Sequence, residues 1–246
     1  MVVKSVRVFA FTFIFIRGAF AQFSDTLLAE PPLKSAIQHQ LWATEYYVHI
    51  TSEGGTIPFL APNGDTLAYC ENTCDFCTAC LEGTVFLLDS TGGHRVLNYA
   101  SRSAESQSNC RECSKYTKSK LNVESWGSVR WKLSSGFGEG VKSYRLVPYR
   151  TVAVDPACIP YGTVLYIPEA KGVRIQLEDG NSVEHDGYFF AGDTGGAIKG
   201  NHIDVFTGTD ASHPFPFVHS SETKTFAAFI VNDLHIIYHF KALHLK

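Results

Sequence analysis

Three aspartates lie in segments marked by glycine or proline and rich in β-forming residues, where a carboxyl group could transfer protons. Asp155 lies in VAVDPACIPYGT, Asp193 in AGDTGGAIKG and Asp204 in NHIDVFTG. In HIDVF, strand alternation places Ile203 and Val205 on one face and Asp204 on the other. Large apolar neighbours remove water from a carboxyl and raise its pKa toward that of a general acid. The pattern fits an acid/base role for Asp204. In the alternative interpretation, Asp155 and Asp193 cap turns and Asp204 keeps an edge strand soluble.

Two basic side chains lie between Asp193 and Asp204. Lys199 could bind substrate or pair with Asp193, and a solvated loop lysine is the alternative. His202 could contact substrate, because imidazole exchanges protons near neutral pH. The Asp-Thr-Gly triplet at Asp193 also occurs in aspartic proteases, whose two aspartates share a proton. A single triplet of this kind makes a protease only a minor alternative.

Short strand-like runs separated by Gly, Pro and Asp dominate the chain after residue 144, and LWATEYYVHI (41–50) reads as an earlier strand. Runs at this spacing, without a convincing helical period, predict a compact barrel or sandwich. GGTIPFLAPNGDTLAYC predicts a hairpin, with turn signals at Gly54-Gly55 and Asn63-Gly64-Asp65. The C-terminal LHIIYHFKALHLK is interpreted as a last strand with a polar tail.

The strings VAVDPACIPYGTVLYIP and YFFAGDTGGAIKGNHIDVFTG closely resemble the 3D domain, a family named for three aspartates. LWATEYYV is similar to the Ala-Thr-x-Tyr strand that opens that domain. The family includes the membrane-bound lytic transglycosylase A enzymes and secreted cell-wall proteins related to resuscitation factors. The resemblance covers 41–50 and about 145–240, and it implies an all-β fold, a six-stranded double-psi β-barrel with a cysteine-rich insertion.

The resemblance also implies cleavage of peptidoglycan glycan strands without a cofactor. A protonated carboxyl would donate to the glycosidic oxygen as an oxocarbenium-like centre forms. The same carboxylate would then deprotonate the muramic 6-hydroxyl, which closes a 1,6-anhydro ring. No counterpart of the large second domain of the membrane-bound enzymes is recognised, so a non-catalytic polysaccharide-binding module is the alternative. By position, the expected catalytic residues are Asp204 and Asp193, and Asp155 follows the AVDP strand. The expected substrate-binding or supporting residues are Thr44, Asp155, Lys199 and His202.

Six of the seven cysteines lie within one segment: Cys70, Cys74, Cys77, Cys80, Cys110 and Cys113. CDFCTAC and CREC have the Cys-x2-Cys spacing of a zinc ribbon, which would use Cys74, Cys77, Cys110 and Cys113. Export favours disulfides instead, and six cysteines would form three bridges. Cys158 would then remain free as a small hydrophobic side chain.

The first 21 residues have the pattern of a secretory signal peptide, with Lys4 and Arg7, a short apolar core and the Ala19-Phe20-Ala21 site. We therefore expect a secreted or periplasmic protein without stable membrane insertion. Cleavage would also remove Arg17 and leave 18 basic residues against 24 acidic ones, a net charge near −6. This balance argues against nucleic acid as a partner.

The expected domain layout follows from these features. A signal peptide would occupy residues 1–21, and a lead-in segment residues 22–40. The 3D-domain barrel would span 41–246, with the cysteine-rich insertion at 66–143.

Overall fold

The computed structural model describes residues 27–177, 180–210 and 212–246, so the predicted signal peptide lies outside it. The described residues form a mostly β structure with two α-helices. No helix in these ranges is long and apolar enough to span a bilayer. The helices are α1 (Thr73–Glu82) and α2 (Leu234–His244), and the strands are β1 (Gln38–Tyr46), β2 (His49–Leu60), β3 (Thr66–Cys70), β4 (Thr84–Leu88), β5 (His94–Arg102), β6 (Val129–Ser134), β7 (Thr151–Ala153), β8 (Val164–Tyr166), β9 (Arg174–Gln176), β10 (Ser182–Glu184), β11 (Tyr188–Asp193), β12 (His202–Phe206) and β13 (Phe226–Ile230).

Six strands close into a barrel in the order β1-β12-β7-β11-β8-β13, which confirms the expected six-stranded barrel. The pairs β1–β12 and β7–β11 are parallel, and the other four are antiparallel. Val152, Leu165, Phe189, Ile203 and Val205 are fully buried in one apolar cluster. Burial of Ile203 and Val205 agrees with the alternation in HIDVF and leaves Asp204 on the opposite face of its strand.

A second sheet of five strands, in the order β3-β2-β4-β5-β6, comes between β1 and β7 in the chain. The hairpin of β2 and β3 is confirmed, and the side chains of Asn63 and Asp65 hydrogen bond across its turn. Gly54-Gly55 makes no chain reversal and lies inside β2, where the register with β3 shifts. Gly55 has φ 74°, and a Cβ there would lie 2.5 Å from Glu71 Cα, so the close approach of two strands explains this glycine.

Two disulfides attach α1 to the segment that follows β5. Cys74 pairs with Cys113, and Cys77 pairs with Cys110. The zinc alternative is therefore wrong, because its four thiolates are consumed as cystines. The expectation of three bridges is also wrong, because Cys70 and Cys80 remain free and buried. These two thiols lie in the apolar core of the second sheet with Phe59, Phe76 and Trp131.

The C-terminal segment is a helix, which corrects its interpretation as a last strand. The Asp233 carboxylate accepts hydrogen bonds from the backbone N–H of His235 and Ile236, and this caps the first turn. Ile236, Phe240 and His244 follow at intervals of four residues, and all three are buried. The four-residue period gives this helix one apolar face, which covers side chains of β8 and β11 on the outside of the barrel.

Candidate active site

Four strands of the barrel bring Thr44, Asp204, Ala153 and Asp193 into one row. Thr44 is paired in register with Asp204, and Ala153 is paired with Asp204 on one side and with Asp193 on the other. Neighbouring strands are ~4.8 Å apart, so the Cα atoms of the two aspartates are separated by about 10 Å. The Ala153 side chain between them is short and buried, and it packs in one apolar cluster with Tyr46. This row is the candidate active site.

Asp204 is the carboxyl whose protonation is best suited to acid/base chemistry. Burial, with smaller contributions from the charges of Asp193 and Glu45, raises its pKa from 3.8 to about 7. The Thr44 hydroxyl donates a hydrogen bond to Oδ1 at 2.6 Å and opposes this rise. The group therefore exchanges its proton near neutral pH, which a general acid that later acts as a base requires.

Asp193 lies at the end of β11 and is held by a side chain from β1. Its Oδ2 accepts a hydrogen bond from the Tyr46 hydroxyl at 2.8 Å. Burial raises its pKa to about 6, and the bond from Tyr46 opposes the rise. Gly140 approaches closely: a Cβ on it would lie 2.9 Å from Asp193 Oδ1 and closer still to the Gly192 carbonyl oxygen. The loop that ends the second-sheet segment thus packs directly against this carboxylate.

His202 lies two residues before Asp204 on β12, and both side chains contact the Thr44 hydroxyl. Its Nε2 is 2.9 Å from Thr44 Oγ1, and its ring stacks on Trp42 with the ring centroids 3.6 Å apart. Burial lowers the pKa of His202, so the ring is neutral at neutral pH. The Thr44 hydroxyl therefore lies between the acid and an imidazole.

Asp155 and Lys199 lie outside the carboxyl row. The exposed Asp155 carboxylate accepts hydrogen bonds from the backbone N–H of Gly200 and Ala157, and these bonds lower its pKa. It thereby joins the end of β7 to the glycine-rich loop before β12. Lys199 is exposed on that loop, and its charge contributes to the lowered pKa of Asp155.

Sequence reasoning missed three residues near the row: Tyr46, Gly140 and Glu82. Tyr46 could have been found, because it is two residues after Thr44 and shares its face of β1. Glu82 ends α1 in the second sheet, and its Oε2 accepts a hydrogen bond from the Tyr47 backbone N–H at 3.2 Å. No local pattern indicates that a helix end so far along the chain from Asp204 lies near it.

Three of the four residues in the row, all except Thr44, lie in a segment that matches a known family. The family model of the 3D domain matches residues 150–213, a range that includes Asp155, Asp193 and Asp204. Sequence comparison with curated proteins finds no match.

Two solved structures have a similar fold. One is E. coli MltA with bound chitohexaose, at 18% identity and TM-score 0.53, over 78% of this chain and 71% of that chain. The other is a membrane-bound lytic murein transglycosylase from Agrobacterium tumefaciens, at 12% identity and TM-score 0.54, over 83% of this chain and 78% of that chain. The resemblance read from the sequence is confirmed: the chain carries a 3D domain, within a fold that it shares with these two lytic transglycosylases.

Proposed function

We propose that this protein is a peptidoglycan lytic transglycosylase with Asp204 as its acid/base. The observation that carries the proposal is the half-buried Asp204 carboxyl, which has a pKa of about 7 and lies in a row with Thr44 and Asp193. The two structures of similar fold bear the names of lytic transglycosylases, which supports the same reaction class. Strand β7 lies between the strands of the two aspartates, so their arrangement differs from a proton-sharing protease pair.

The reaction would use one carboxyl twice. Protonated Asp204 donates its proton to the glycosidic oxygen, the bond from that oxygen to the muramic C1 breaks, and an oxocarbenium-like centre forms. The Asp204 carboxylate then takes the proton of the muramic 6-hydroxyl while its oxygen bonds to C1. The product is a 1,6-anhydromuramic end, and the carboxyl is protonated again for the next cycle.

Asp193 would act as an electrostatic partner in this cycle. With its lower pKa of about 6, it is ionised over a pH range in which Asp204 still holds a proton. Its negative charge favours the protonated form of Asp204 and also the positive charge that develops on the sugar. The bond from Tyr46 keeps the carboxylate turned toward β1.

We further propose an extracytoplasmic protein with a double-psi barrel. Two cystines are typical of oxidising compartments and agree with the predicted signal peptide. The parallel pairs β1–β12 and β7–β11, each joined by long connections, support the double-psi assignment. Peptidoglycan is the proposed partner, and the extracytoplasmic location would give access to it.

Muropeptide analysis of purified sacculi after incubation with the protein tests the activity. We expect products with 1,6-anhydromuramic ends, and at least a ~10²-fold lower turnover for Asp204→Asn with retained binding. Asp89→Asn, in an exposed turn of the second sheet, is the matched control and should leave turnover unchanged. Reducing ends would instead identify a hydrolase, and binding without turnover in the wild type would identify a binding module. Full turnover in Asp204→Asn would exclude this residue from the mechanism.

A further inference from the structure

Glu82 connects the second sheet to the strand that carries Thr44. It ends α1, and its Oε2 accepts a hydrogen bond from the backbone N–H of Tyr47, one residue beyond β1. From Thr44 to Tyr47 the chain advances three residues, which in an extended strand is about 10 Å. Glu82 is therefore displaced from Asp204 along the direction of β1, toward the second sheet.

The second oxygen of this carboxyl is available to a ligand. Among the described residues, Glu82 Oε1 has no hydrogen-bond partner. It is accessible to solvent, since it is not among the buried unpaired side-chain atoms. The bond from Tyr47 to Oε2 restricts the rotation of the carboxyl and so limits the directions in which Oε1 can point. Glu82 is thus a preorganised acceptor, because one of its oxygens already accepts a backbone hydrogen bond and the other can accept one from a ligand.

The surroundings of Glu82 place it beside the carboxyl row. Burial, with a smaller contribution from the charge of Asp204, raises its pKa to about 7, so the two carboxyls lie within electrostatic range. Its own charge also raises the pKa of Tyr46, the residue that holds Asp193. Lys115, on the disulfide-linked segment, lowers the pKa of Glu82 and supplies a nearby positive charge. A carboxyl from α1 and an ammonium group from the disulfide-linked segment thus lie close enough to interact at this end of the site.

We propose that Glu82 is a substrate-binding residue supplied by the second sheet, whose free Oε1 accepts a hydrogen bond from a hydroxyl or acetamide N–H of a bound amino sugar. This inference rests on the proposed function for its ligand class. The offset of about 10 Å along β1 directs the contact to a sugar one or two units along the strand from the one attacked at Asp204. Trp42 and His202 occupy the opposite side of Thr44, so the glycan would run along β1 between these two ends.

The test is binding of chitohexaose, measured by calorimetry at pH 8 in the Asp204→Asn background. Glu82→Gln is the informative variant, because its amide oxygen can still accept from Tyr47 while the free acceptor becomes an NH2 donor. We expect the Kd to rise about tenfold or more, as for loss of a hydrogen bond to a charged group. Glu184→Gln, at an exposed position of β10, is the matched control and should leave the Kd unchanged.

Folding is controlled by working at least ~20 °C below the thermal midpoint of each variant, so that all are assayed in the folded state. An unchanged Kd in Glu82→Gln would overturn the role of Glu82 and leave the proposed activity standing. Binding that depends on Glu82, in a wild type that does not cleave sacculi, would keep the role and remove the activity. Absence of chitohexaose binding in the Asp204→Asn parent would overturn the role of Glu82, and sacculus cleavage by the wild type would then decide the activity separately.

Discussion

The Thr44 hydroxyl donates a hydrogen bond to Asp204 Oδ1 at 2.6 Å, across the parallel pair of β1 and β12. This bond lowers the pKa of Asp204, so its loss in Thr44→Val should raise that pKa above about 7. The alkaline limb of the pH dependence of kcat/KM should move to higher pH, which turnover assays between pH 4 and 9 would show. Thr44→Ser keeps the hydroxyl and serves as the control. An unchanged alkaline limb would mean that the bond from Thr44 does not influence the pKa of Asp204.

Asp193→Asn should move the same limb in the opposite direction. The negative charge of Asp193 raises the pKa of Asp204, so the neutral amide should lower that pKa and shift the alkaline limb to lower pH. Because the general acid is retained, turnover at the optimum should fall less than in Asp204→Asn. The same pH series measures both effects. A loss equal to that of Asp204→Asn would assign the acid/base role to both carboxyls.

Asp204 should also make the stability of the protein depend on pH. Its pKa is raised from 3.8 to about 7, so between these values the folded state keeps a proton that the unfolded chain has released. Stability from this group is fully present below about pH 4 and is lost as the pH rises to about 7. Asp204→Asn should therefore melt above the wild type at pH 8, by roughly 2–4 °C for each kcal/mol recovered, and close to it at pH 4. Calorimetry that finds equal differences at the two pH values would contradict this linkage.

Thiol counting on denatured, unreduced protein should find three free thiols, those of Cys70, Cys80 and Cys158. The two cystines close segments of 39 and 33 residues, and removal of either should lower the free energy of unfolding by about 2–4 kcal/mol. Urea unfolding of Cys74→Ser/Cys113→Ser measures this loss, with Cys158→Ser in the barrel as the control. A count of one free thiol would instead indicate a third disulfide between Cys70 and Cys80.

Gly140→Ala should lower activity by disturbing Asp193 from the neighbouring loop. The added methyl would lie 2.9 Å from Asp193 Oδ1, and it must displace either the carboxylate or the loop. We expect turnover to fall at least ~10-fold, since small misplacements of a charged group at a reacting centre are costly. Gly196→Ala is the control, because a Cβ there meets nothing within 4 Å and its φ is not positive. Equal turnover in the two variants would show that the loop adapts to the added methyl.

The sequence predicted the parts of the fold whose signal is local. Alternation in HIDVF identified the buried face of β12, and Asn63-Gly64-Asp65 identified the hairpin turn. The C-terminal helix was missed because its short apolar runs also fit a strand, and only the Asp233 cap and the four-residue spacing separate the two.

Features set by tertiary proximity could not be read in the same way. Cysteine spacing shows that thiols are close in sequence, whereas the pairing of Cys74 with Cys113 depends on how α1 packs. The positions of Asp193 and Asp204 were available from motif resemblance, but their separation by Ala153 needed the strand order of the barrel. Glu82 approaches the site only because the second sheet folds back on β1.

The parallel pairing of β1 with β12 has a consequence for the order of folding. Thr44 and Asp204 are 160 residues apart in the chain, whereas β4 pairs with β5 across a short turn and β5 pairs with β6 across the segment 103–128. Closure of long loops costs chain entropy before the contacts repay it, so local pairings form faster. We expect pulse-labelled amide exchange to show protection in β4–β6 before β1. The candidate acid and its hydrogen-bond partner would then meet late, when the second sheet has already folded and its cystines can form.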